Sequence, residues 1–404
     1  MYDAIIVGAR CAGAPTAMLL ARQGYRVLVV DRATFPSDTF RCHGIMHPGI
    51  VRLRRWGLLD RVIASNCPPV TQVTQDLGDF ALTGRLPVVD GVTALYAPRR
   101  KVLDYLLVQA ASAAGAEVRE GFSVQELIWE RGAVVGIRGR AAGGALVEER
   151  APIVVGADGL HSLVARSVQA PTYDEQPMLT WAYYSYWSGV SVPGLEVYRQ
   201  DDMLLLSFPT NDNLVCVALQ GPMASFGGFR RDVEGNFERT LARFPALGDR
   251  VRAGRRAERY QGTADLPNFF RKPYGPGWAL VGDAGYHKDP VTANGISDAF
   301  RDAELLTEAI DAGLAGRQPL AAALAGYEAT RNALAAPFYR AAIQMATFGP
   351  LPAEMLQLRA ALRPSPADTD QFFGVALGAV AAGEFFAPAN MGRIMSAGRQ
   401  PVLV

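Results

Sequence analysis

The order of apolar and polar positions over the first 31 residues predicts a strand, a turn, a helix and a second strand. Ala4-Ile5-Ile6-Val7 is an uninterrupted apolar run, residues 14–23 form a helical segment that stops at Gly24, and a second apolar run covers residues 26–30. Runs that are apolar at every position are typical of parallel strands buried on both faces. The pattern therefore predicts a βαβ unit at the start of the chain.

The pattern of a short apolar strand followed by a helix returns later in the chain. Ile153-Val154-Val155 precedes a predicted helix over residues 161–168, and Trp278-Ala279-Leu280-Val281 precedes a long one over residues 296–312. A further helix is predicted over residues 102–114, where apolar residues recur at helical spacing. Strands that alternate with helices in this way predict an α/β fold built on a parallel sheet.

Residues 171–220 follow a different pattern, with the alternation that is typical of antiparallel strands. The strands are predicted at residues 179–187, 196–200, 204–208 and 214–219. The first of them is rich in aromatic residues. This part of the chain therefore predicts a second sheet, separate from the parallel one.

Composition excludes several classes of protein. The 404 residues are 50% hydrophobic and carry a formal net charge of +1, which gives no field to attract nucleic acid. The four cysteines show no C-x-x-C spacing, which disfavours a disulfide framework and a zinc site. Met1-Tyr2-Asp3 leads into the first strand without a basic leader segment. We therefore expect a protein of the reduced cytoplasm.

The longest apolar stretch runs from Phe372 to Gly383 and ends at Glu384. It is far shorter than the roughly 20 residues that span a bilayer. We predict a buried helix here and no stable membrane insertion, with contact at a membrane surface as the alternative.

The turn after the first strand carries the residues of a dinucleotide-binding site. Gly8 permits a tight turn, Gly13 allows close packing of helix on strand, and the helix N-terminus offers N–H groups to a pyrophosphate. Asp31 follows the second strand. A carboxylate at this position accepts hydrogen bonds from the hydroxyls of an adenosine ribose and repels a 2′-phosphate. FAD or NAD therefore fits better than NADP. Arg10 departs from the pattern because it replaces the middle glycine of G-x-G-x-x-G.

Three further segments carry candidate binding chemistry. The basic cluster Pro98-Arg99-Arg100-Lys101 begins the predicted helix 102–114, where a bound anion would relieve repulsion between these charges and the helix dipole; a solvated basic turn is the alternative. Gly156-Ala157-Asp158-Gly159 and Gly282-Asp283-Ala284 each follow a predicted strand. The last segment leads through a glycine-containing loop into the long helix, whose N-terminus again aims backbone donors at a ligand.

The order of these motifs resembles that of the class A FAD-dependent monooxygenases, aromatic-hydroxylase-like flavoproteins related to geranylgeranyl reductases and flavin halogenases. The match consists of the βαβ unit ending on Asp31, the arginine-headed helix, G-A-D-G, and G-D-A followed by a glycine-rich helix start. It covers the framework that holds FAD. The resemblance therefore implies FAD as the cofactor and NAD(P)H as a transient electron donor.

The resemblance implies an α/β fold with a Rossmann-like FAD-binding domain, a mixed antiparallel-sheet substrate domain and C-terminal helices. We expect the FAD-binding domain over residues 1–72, 97–172 and 272–345, the substrate domain over residues 73–96 and 173–271, and a helical cap over residues 346–404.

The resemblance also implies which residues hold FAD. Asp31 would bind the ribose, the turn that starts at Gly8 would bind the pyrophosphate, and Asp283 would bind the ribityl chain. The N–H groups at the start of the long helix would stabilise negative charge at N1 and C2=O of reduced flavin. The implied cofactor-binding residues are Gly8, Ala9, Gly13, Ala14, Asp31, Arg32, Arg41, Arg99, Asp158, Gly282, Asp283, Pro290, Ala293, Asn294, Gly295 and Ile296.

Two histidines are candidate catalytic residues. His47 lies on the loop after the second strand and His287 lies in the G-D-A loop, and the resemblance brings both loops near the flavin. We predict an acid/base or hydrogen-bonding role for each, with a structural loop histidine as the alternative. His43 and His47 have the spacing of a metal pair on a helix. Gly44 and Pro48 disfavour a helix there, so no metal site is predicted.

The activity implied by the resemblance is monooxygenation. The protein would hydroxylate or epoxidise an apolar small molecule through a C4a-hydroperoxyflavin, using FAD, NAD(P)H and O2 in a dry cavity. Trp181, Tyr184 and Tyr186, on the first antiparallel strand, are candidate contacts for an aromatic, polycyclic or terpenoid substrate. Packing in the core is the alternative for each of them.

Other functions stay open at this point. A reductase or dehydrogenase of the geranylgeranyl-reductase type would act on a carbon–carbon bond without oxygen, and Arg41-Cys42-His43-Gly44 is similar to the cysteine-glycine loop of those enzymes. A halogenase is disfavoured because the W-x-W-x-I-P signature is absent. The remaining alternatives are a non-catalytic flavoprotein and an enzyme that depends on a separate flavin reductase.

Overall fold

The computed structural model describes residues 1–39 and 43–397. Its helices are α1 (Gly13–Arg22), α2 (His47–Arg55), α3 (Leu59–Ala64), α4 (Arg100–Ala113), α5 (Leu163–Ser167), α6 (Met223–Phe229), α7 (Val233–Arg243), α8 (Pro245–Ala253), α9 (Gly295–Leu314), α10 (Leu320–Ala346), α11 (Ala353–Leu362), α12 (Pro366–Ala376), α13 (Ala382–Phe385) and α14 (Pro388–Ala397).

The strands are short in one part of the chain and long in another. They are β1 (Ala4–Val7), β2 (Val27–Val30), β3 (Pro69–Val70), β4 (Gln72–Asp76), β5 (Ala81–Arg85), β6 (Leu95–Tyr96), β7 (Glu117–Arg119), β8 (Ser123–Glu130), β9 (Ala133–Arg140), β10 (Leu146–Arg150), β11 (Val154–Gly156), β12 (Thr172–Gln176), β13 (Thr180–Ser188), β14 (Leu195–Gln200), β15 (Met203–Thr210), β16 (Leu214–Pro222), β17 (Arg255–Arg256), β18 (Gln261–Thr263), β19 (Asn268–Arg271), β20 (Tyr274–Gly275), β21 (Trp278–Leu280) and β22 (Tyr286–His287).

The chain forms two compact units, each assembled from three segments. The first unit consists of Met1–His43, Arg99–Pro177 and Pro267–Ile343, and the second of Gly44–Pro98, Met178–Leu266 and the segment that begins at Gln344.

The first unit contains a six-stranded sheet in the order β20-β21-β11-β1-β2-β7. The five strands from β21 to β7 run parallel, and β20 adds an antiparallel edge. Helix α1 connects β1 to its neighbour β2. This arrangement confirms the predicted α/β, Rossmann-like class.

The apolar runs form these strands because every position in them is buried. All four residues of β1 and all four of β2 are buried. Ile5 lies between Leu28 and Val154 in the sheet, and one core cluster contains these three residues together with Phe122 and Leu280. Burial on both faces explains why the sequence is apolar at each position and does not alternate.

The second unit contains a larger, mostly antiparallel sheet in the order β17-β13-β16-β15-β14-β4-β5, with β18 also paired to β13. Side chains on one face of it pack on helices. Trp181 and Trp187 of β13 lie in a core cluster with Phe237 and Leu241 of α7 and Leu247 of α8. Alternation along β13 therefore separates a helix-covered face from the opposite one.

The units divide the chain differently from the sequence-based boundaries. Residues 44–72 belong to the second unit, because Ile45 bridges to Tyr96 and β3 pairs with β6. The C-terminal helices belong to the same unit. Their attachment is visible at β5, where the Arg85 backbone N–H donates to Asp370 at 2.7 Å.

The apolar stretch from Phe372 to Gly383 does not form the single helix that its sequence predicts. Helix α12 ends at Ala376, and α13 begins at Ala382. Gly378 between them has a φ of +78°, in the left-handed region that ends a helix. Within residues 1–39 and 43–397, no helix combines the length and apolar character needed to cross a membrane.

Candidate functional site

Four motifs of the first unit meet at the carboxyl ends of neighbouring parallel strands. Gly8 follows β1, Asp31 follows β2, Ala157 follows β11, and Gly282 comes two residues after β21. Because these strands are adjacent and parallel, their ends share one edge of the sheet. This edge is the usual position of a ligand in an open α/β sheet.

Glycines allow the chain segments at this edge to approach each other closely. Gly8 has a φ of +104°, and a Cβ there would lie 2.5 Å from the carbonyl oxygen of Ala157. A Cβ on Gly13 would lie 1.8 Å from the carbonyl oxygen of Gly8. A Cβ on Gly282 would lie 2.7 Å from the Cβ of Ala12. The start of α1 is therefore held directly against the strand ends.

Asp31 is fixed at the end of β2 by two backbone hydrogen bonds. Its carboxylate accepts from the N–H of Ala9 and from the N–H of Ala33, both at 2.8 Å. Ala9 and Ala14 are fully buried, whereas Arg32 is exposed. The geometry thus holds a negative charge beside the turn where an adenosine ribose would lie.

Arg10, the residue in place of the middle glycine, is bound to another helix of the first unit. Its guanidinium pairs with Asp104 of α4 at 2.5 Å and donates to the Ser37 hydroxyl at 3.0 Å. Arg100 binds the same buried carboxylate. The i, i+4 spacing of Arg100 and Asp104 is a sequence pattern that could have indicated this pair. No local sequence pattern indicates that Arg10 and Ser37 also take part.

Arg99 lies at the start of α4 and is buried. Its guanidinium pairs with Asp38 at 2.9 Å. The predicted anion site at the basic cluster therefore contains an arginine that is paired with a carboxylate of the loop after β2. Arg41, predicted with Arg99 as a cofactor-binding residue, lies outside the described residues.

The two predicted acids after β11 and β21 differ in their surroundings. The Asp158 carboxylate accepts hydrogen bonds from the Ser162 hydroxyl and from the N–H of Leu163 at 2.6 Å, so it caps the start of α5. Burial raises the pKa of Asp158 and outweighs these hydrogen bonds. Asp283 lies in a short 3-10 turn, Gly282–Ala284, and is partly exposed.

The loop between β22 and α9 is organised around a buried aspartate. The N–H of Asp289 donates to the Asn268 side chain at 2.7 Å, and the Asp289 carboxylate accepts from the N–H of Val291. This fixes Pro290, which starts a 3-10 turn ending at Thr292. The predicted residues Ala293, Asn294, Gly295 and Ile296 follow at once, and Ala293 has a φ of +51°.

The start of α9 is suited to a polar ligand. No side-chain hydrogen bond from Asn294, the N-cap residue, caps the helix. The Thr292 hydroxyl is buried, and no described residue is its hydrogen-bond partner. Backbone donors of the first helical turn and this hydroxyl are groups that an oxygen- or nitrogen-rich ring would satisfy.

Both predicted catalytic histidines donate to backbone carbonyls. His287 Nδ1 lies 2.5 Å from the carbonyl oxygen of Pro267, and His47 Nε2 lies 3.1 Å from that of Val89. A carbonyl oxygen only accepts, so the proton is on Nδ1 of His287 and on Nε2 of His47. In the neutral form of an imidazole with this proton, the other ring nitrogen is an acceptor. His43 is buried, which lowers its pKa to about 3 and keeps it neutral.

The three predicted substrate residues lie on different faces of the sheet in the second unit. Trp181 is on the helix-covered face, with its ring 4.1 Å from that of Phe229 and its N–H donated to Ser225. Tyr184 and Tyr186 are on the opposite face, with their rings 5.6 Å apart in an edge-to-face arrangement. The three side chains therefore cannot line one pocket, and Trp181 belongs to the core.

The chain is similar in sequence to one protein family and to several known enzymes. The model of the FAD binding domain family, FAD_binding_3, matches residues 1–225, more than half of the chain. The digeranylgeranylglycerophospholipid reductase of Methanocella arvoryzae is 28% identical over 353 residues, covering 82% of this chain and 83% of the reductase. The kynurenine 3-monooxygenase of Salinispora arenicola is 28% identical over 354 residues, covering 81% of this chain and 76% of the monooxygenase.

The fold is also found among solved structures. The myxobacterial chondrochloren halogenase CndH has a TM-score of 0.78 to this chain at 22% identity, and the match covers 99% of this chain and 91% of the halogenase. At this level of identity the likeness concerns the fold alone. The residues present fit FAD: the Asp31 carboxylate, the glycine turn against α1 and the buried Thr292 hydroxyl are donors and acceptors suited to its ribose, pyrophosphate and ring.

Proposed function

The chain belongs to the FAD binding domain family, and on this premise we propose that it is a monooxygenase that hydroxylates or epoxidises an apolar small molecule with NAD(P)H and O2. The protein is an FAD-dependent oxidoreductase with FAD as its cofactor and NAD(P)H as electron donor. The observation that carries the proposal is the similarity to a kynurenine 3-monooxygenase over 81% of this chain, well beyond the residues of the family match.

The residues at the sheet edge would bind and orient FAD. We assign the ribose to Asp31, the pyrophosphate to the turn from Gly8 to Gly13 at the N-terminus of α1, and the ribityl chain to Asp283. The ring is assigned to the loop of Pro290 and to the first turn of α9. Bound FAD supplies the hydride acceptor and, once reduced, the reaction with O2.

Backbone dipoles at the start of α9 would favour negative charge on the ring. The N–H groups of the first turn point out of the helix, and the positive end of the helix dipole lies there. Asn294 makes no competing side-chain cap. The loop is fixed by Asp289 and Asn268, so these donors would need little rearrangement as charge develops.

His287 is the proposed proton acceptor for a phenolic substrate. Its Nδ1–H is held by the carbonyl of Pro267, and its ring stacks on Phe269 with centroids 6.3 Å apart. Nε2 of the neutral ring would accept the proton. His47 has the opposite tautomer and is proposed as a hydrogen-bonding residue, because it is buried at the start of α2 and its Nδ1 is the acceptor.

The apolar substrate is assigned to Tyr184 and Tyr186, on the face of β13 opposite the helices. The two tyrosine rings would contact an aromatic, polycyclic or terpenoid substrate through their faces and edges. Phenylalanine substitutions at these two positions keep the ring area. Leucine substitutions remove it, so comparing the two series separates ring contact from simple burial.

The test is oxygen consumption by FAD-loaded protein with NADPH or NADH and a panel of phenols, polycyclic aromatics and terpenoid alkenes. The proposal expects a panel member that stimulates oxygen consumption and yields a product containing one atom from labelled O2. Asp31→Ala protein, in which FAD binding should be weakened, is the control. Flavin that the nicotinamide bleaches in the absence of O2, and that regains its colour only as it transfers hydrogen to an added alkene, would contradict monooxygenation.

A second candidate is a carbon–carbon double-bond reductase. The similarity to a digeranylgeranylglycerophospholipid reductase over 82% of this chain favours it. A reductase would transfer hydrogen from the reduced protein to an isoprenoid alkene under anaerobic conditions. The same panel, assayed without O2, therefore distinguishes the two candidates. If neither nicotinamide reduces the flavin, an added flavin reductase tests whether the electrons come from a separate protein.

A further inference from the structure

The first unit contains a compact cluster of charges at the base of the loop assigned to the flavin ring. Lys288, Asp298 and the Tyr286 hydroxyl form a closed triangle. The Lys288 ammonium pairs with the Asp298 carboxylate and donates to the Tyr286 hydroxyl at 2.6 Å, and that hydroxyl donates to the same carboxylate at 3.1 Å. Each of the three groups thus contacts the other two.

The triangle is shielded from water. The side chain of Lys288 is 5% exposed and that of Asp298 is 13% exposed. The Tyr286 ring is buried and stacks on Phe270, with centroids 4.8 Å apart. The chain contains three lysines, of which Lys288 is buried, Lys101 is partly exposed and Lys272 is exposed. Charges in such surroundings act at longer range than surface charges do, because little water screens them.

The ion pair joins the two ends of the flavin-ring loop. Lys288 lies two residues before Pro290, and Asp298 lies in the first turn of α9, three residues after Gly295. The segment between them contains every residue that we assign to the ring. A change in the charge of either partner would therefore change the electrostatic potential at the segment assigned to the ring, which gains negative charge during reduction.

The charges of the wider cluster are balanced by a second pair. Arg301 donates to Asp298 at 3.0 Å and to Asp302 at 2.8 Å. Burial alone would raise the pKa of Asp298, but Lys288 and Arg301 outweigh it and hold that pKa below its usual value. Asp298 is therefore ionised. Substitution of Asp298 leaves Lys288 without a carboxylate partner, and substitution of Lys288 leaves Asp298 paired with Arg301.

We propose that the Lys288–Asp298 pair sets the reduction potential of the bound flavin, with Lys288 favouring and Asp298 opposing the reduced ring. The inference rests on FAD binding at this edge and deepens the proposed function. Reduction adds negative charge to the ring, so a nearby cation makes reduction more favourable and a nearby anion makes it less favourable. The two residues act as positioning and tuning groups, and neither needs to touch the substrate.

The proposal predicts shifts of opposite sign for two single substitutions. Lys288→Met removes the cation and should lower the equilibrium constant for flavin reduction about tenfold, which is about 30 mV for a two-electron couple. Asp298→Asn removes the anion and should raise that constant by a similar factor. The double variant removes both charges and should lie within about threefold of the wild type.

The measurement is the midpoint potential of FAD-loaded protein, followed by flavin absorbance against reference dyes without substrate. Lys288→Arg keeps the charge and should keep the potential. Lys272→Met removes an exposed lysine. Asp311→Asn removes, from the same helix α9, a carboxylate that also contacts a tyrosine hydroxyl and an arginine. Both of these controls should leave the potential unchanged.

Three results would overturn the proposal. The first is a shift of the same sign in Lys288→Met and Asp298→Asn, which indicates disruption of the loop rather than a charge effect. The second is a change below about threefold in both. The third is failure of both variants, and of Lys288→Gln, to hold one FAD per chain. Wild-type protein that binds FAD but oxygenates nothing would refute the proposed function and leave this measurement valid.

Discussion

The Arg10 guanidinium lies 2.5 Å from the Asp104 carboxylate, which has no exposed side-chain surface. Arg100 binds the same carboxylate, and the Cys11 thiol donates to it at 3.3 Å. Burial raises the pKa of Cys11, so the thiol keeps its proton. Arg10, which replaces the middle glycine of the turn after β1, therefore anchors that turn to α4.

Removal of the Asp104 charge should destabilise the first unit. Asp104→Asn leaves Arg10 and Arg100 without their shared carboxylate, and loss of one partner of a buried ion pair costs about 3–5 kcal/mol. The free energy of unfolding in urea measures this. Asp232→Asn removes an exposed partner of Arg239 and should change little. Equal stability of the two variants would contradict a buried anchoring role for Asp104.

Asp31→Ala should weaken FAD binding at least tenfold, because hydrogen bonds to a charged group contribute about 1.5–3 kcal/mol each. The matched control is Asp3→Ala. Asp3 also accepts a backbone N–H, that of Arg26 at 2.7 Å, but it precedes β1 and so lies at the opposite edge of the sheet. Quenching of FAD fluorescence on titration gives both dissociation constants. Equal losses in the two variants would argue against a ribose contact at Asp31.

Gly13→Ala should abolish FAD binding and lower the melting temperature. The added Cβ would lie 1.8 Å from the carbonyl oxygen of Gly8, so α1 must move away from β1. Gly326→Ala adds a Cβ within α10 where, apart from its chain neighbours and the adjacent backbone of the helix, no atom of the described residues lies within 4 Å. That control should be neutral or stabilising by up to about 1 kcal/mol. Near-native FAD affinity in Gly13→Ala would refute the close packing at this turn.

Stability should fall with acid because of His43. Its pKa is about 3 in the folded protein, below its usual value near 6.5, so the unfolded chain binds the proton more readily. The contribution of the neutral imidazole is complete above about pH 6.5 and is lost as the pH falls toward 3, at up to about 1.4 kcal/mol per pH unit. His43→Gln should show a shallower pH dependence of unfolding free energy between pH 4.5 and 7 than the wild type.

Local sequence patterns predicted the strands and helices at the carboxyl edge of the parallel sheet, because each of these elements is encoded by residues close together in the chain. The apolar runs at β1, β2 and β21 and the helix at α9 all appear close to the predicted positions. The motifs after these strands could be grouped from sequence because parallel strands share an edge. These inferences needed no knowledge of distant contacts.

The remaining features depend on residues far apart in the chain. Ser37 and Asp104 bind Arg10 from 27 and 94 residues away. Alternation along β13 separates Trp181 from Tyr184, but which face the helices would cover is decided by α6, α7 and α8. The break at Gly378 depends on a backbone conformation that neighbouring apolar residues obscure.

The most direct test of the account is titration of the folded apoprotein with FAD, followed by flavin absorbance and fluorescence. We expect saturation at one FAD per chain, with binding weakened in Asp31→Ala and retained in Asp3→Ala. Apoprotein with native secondary structure by circular dichroism that leaves the absorbance and fluorescence of added FAD unchanged would contradict it.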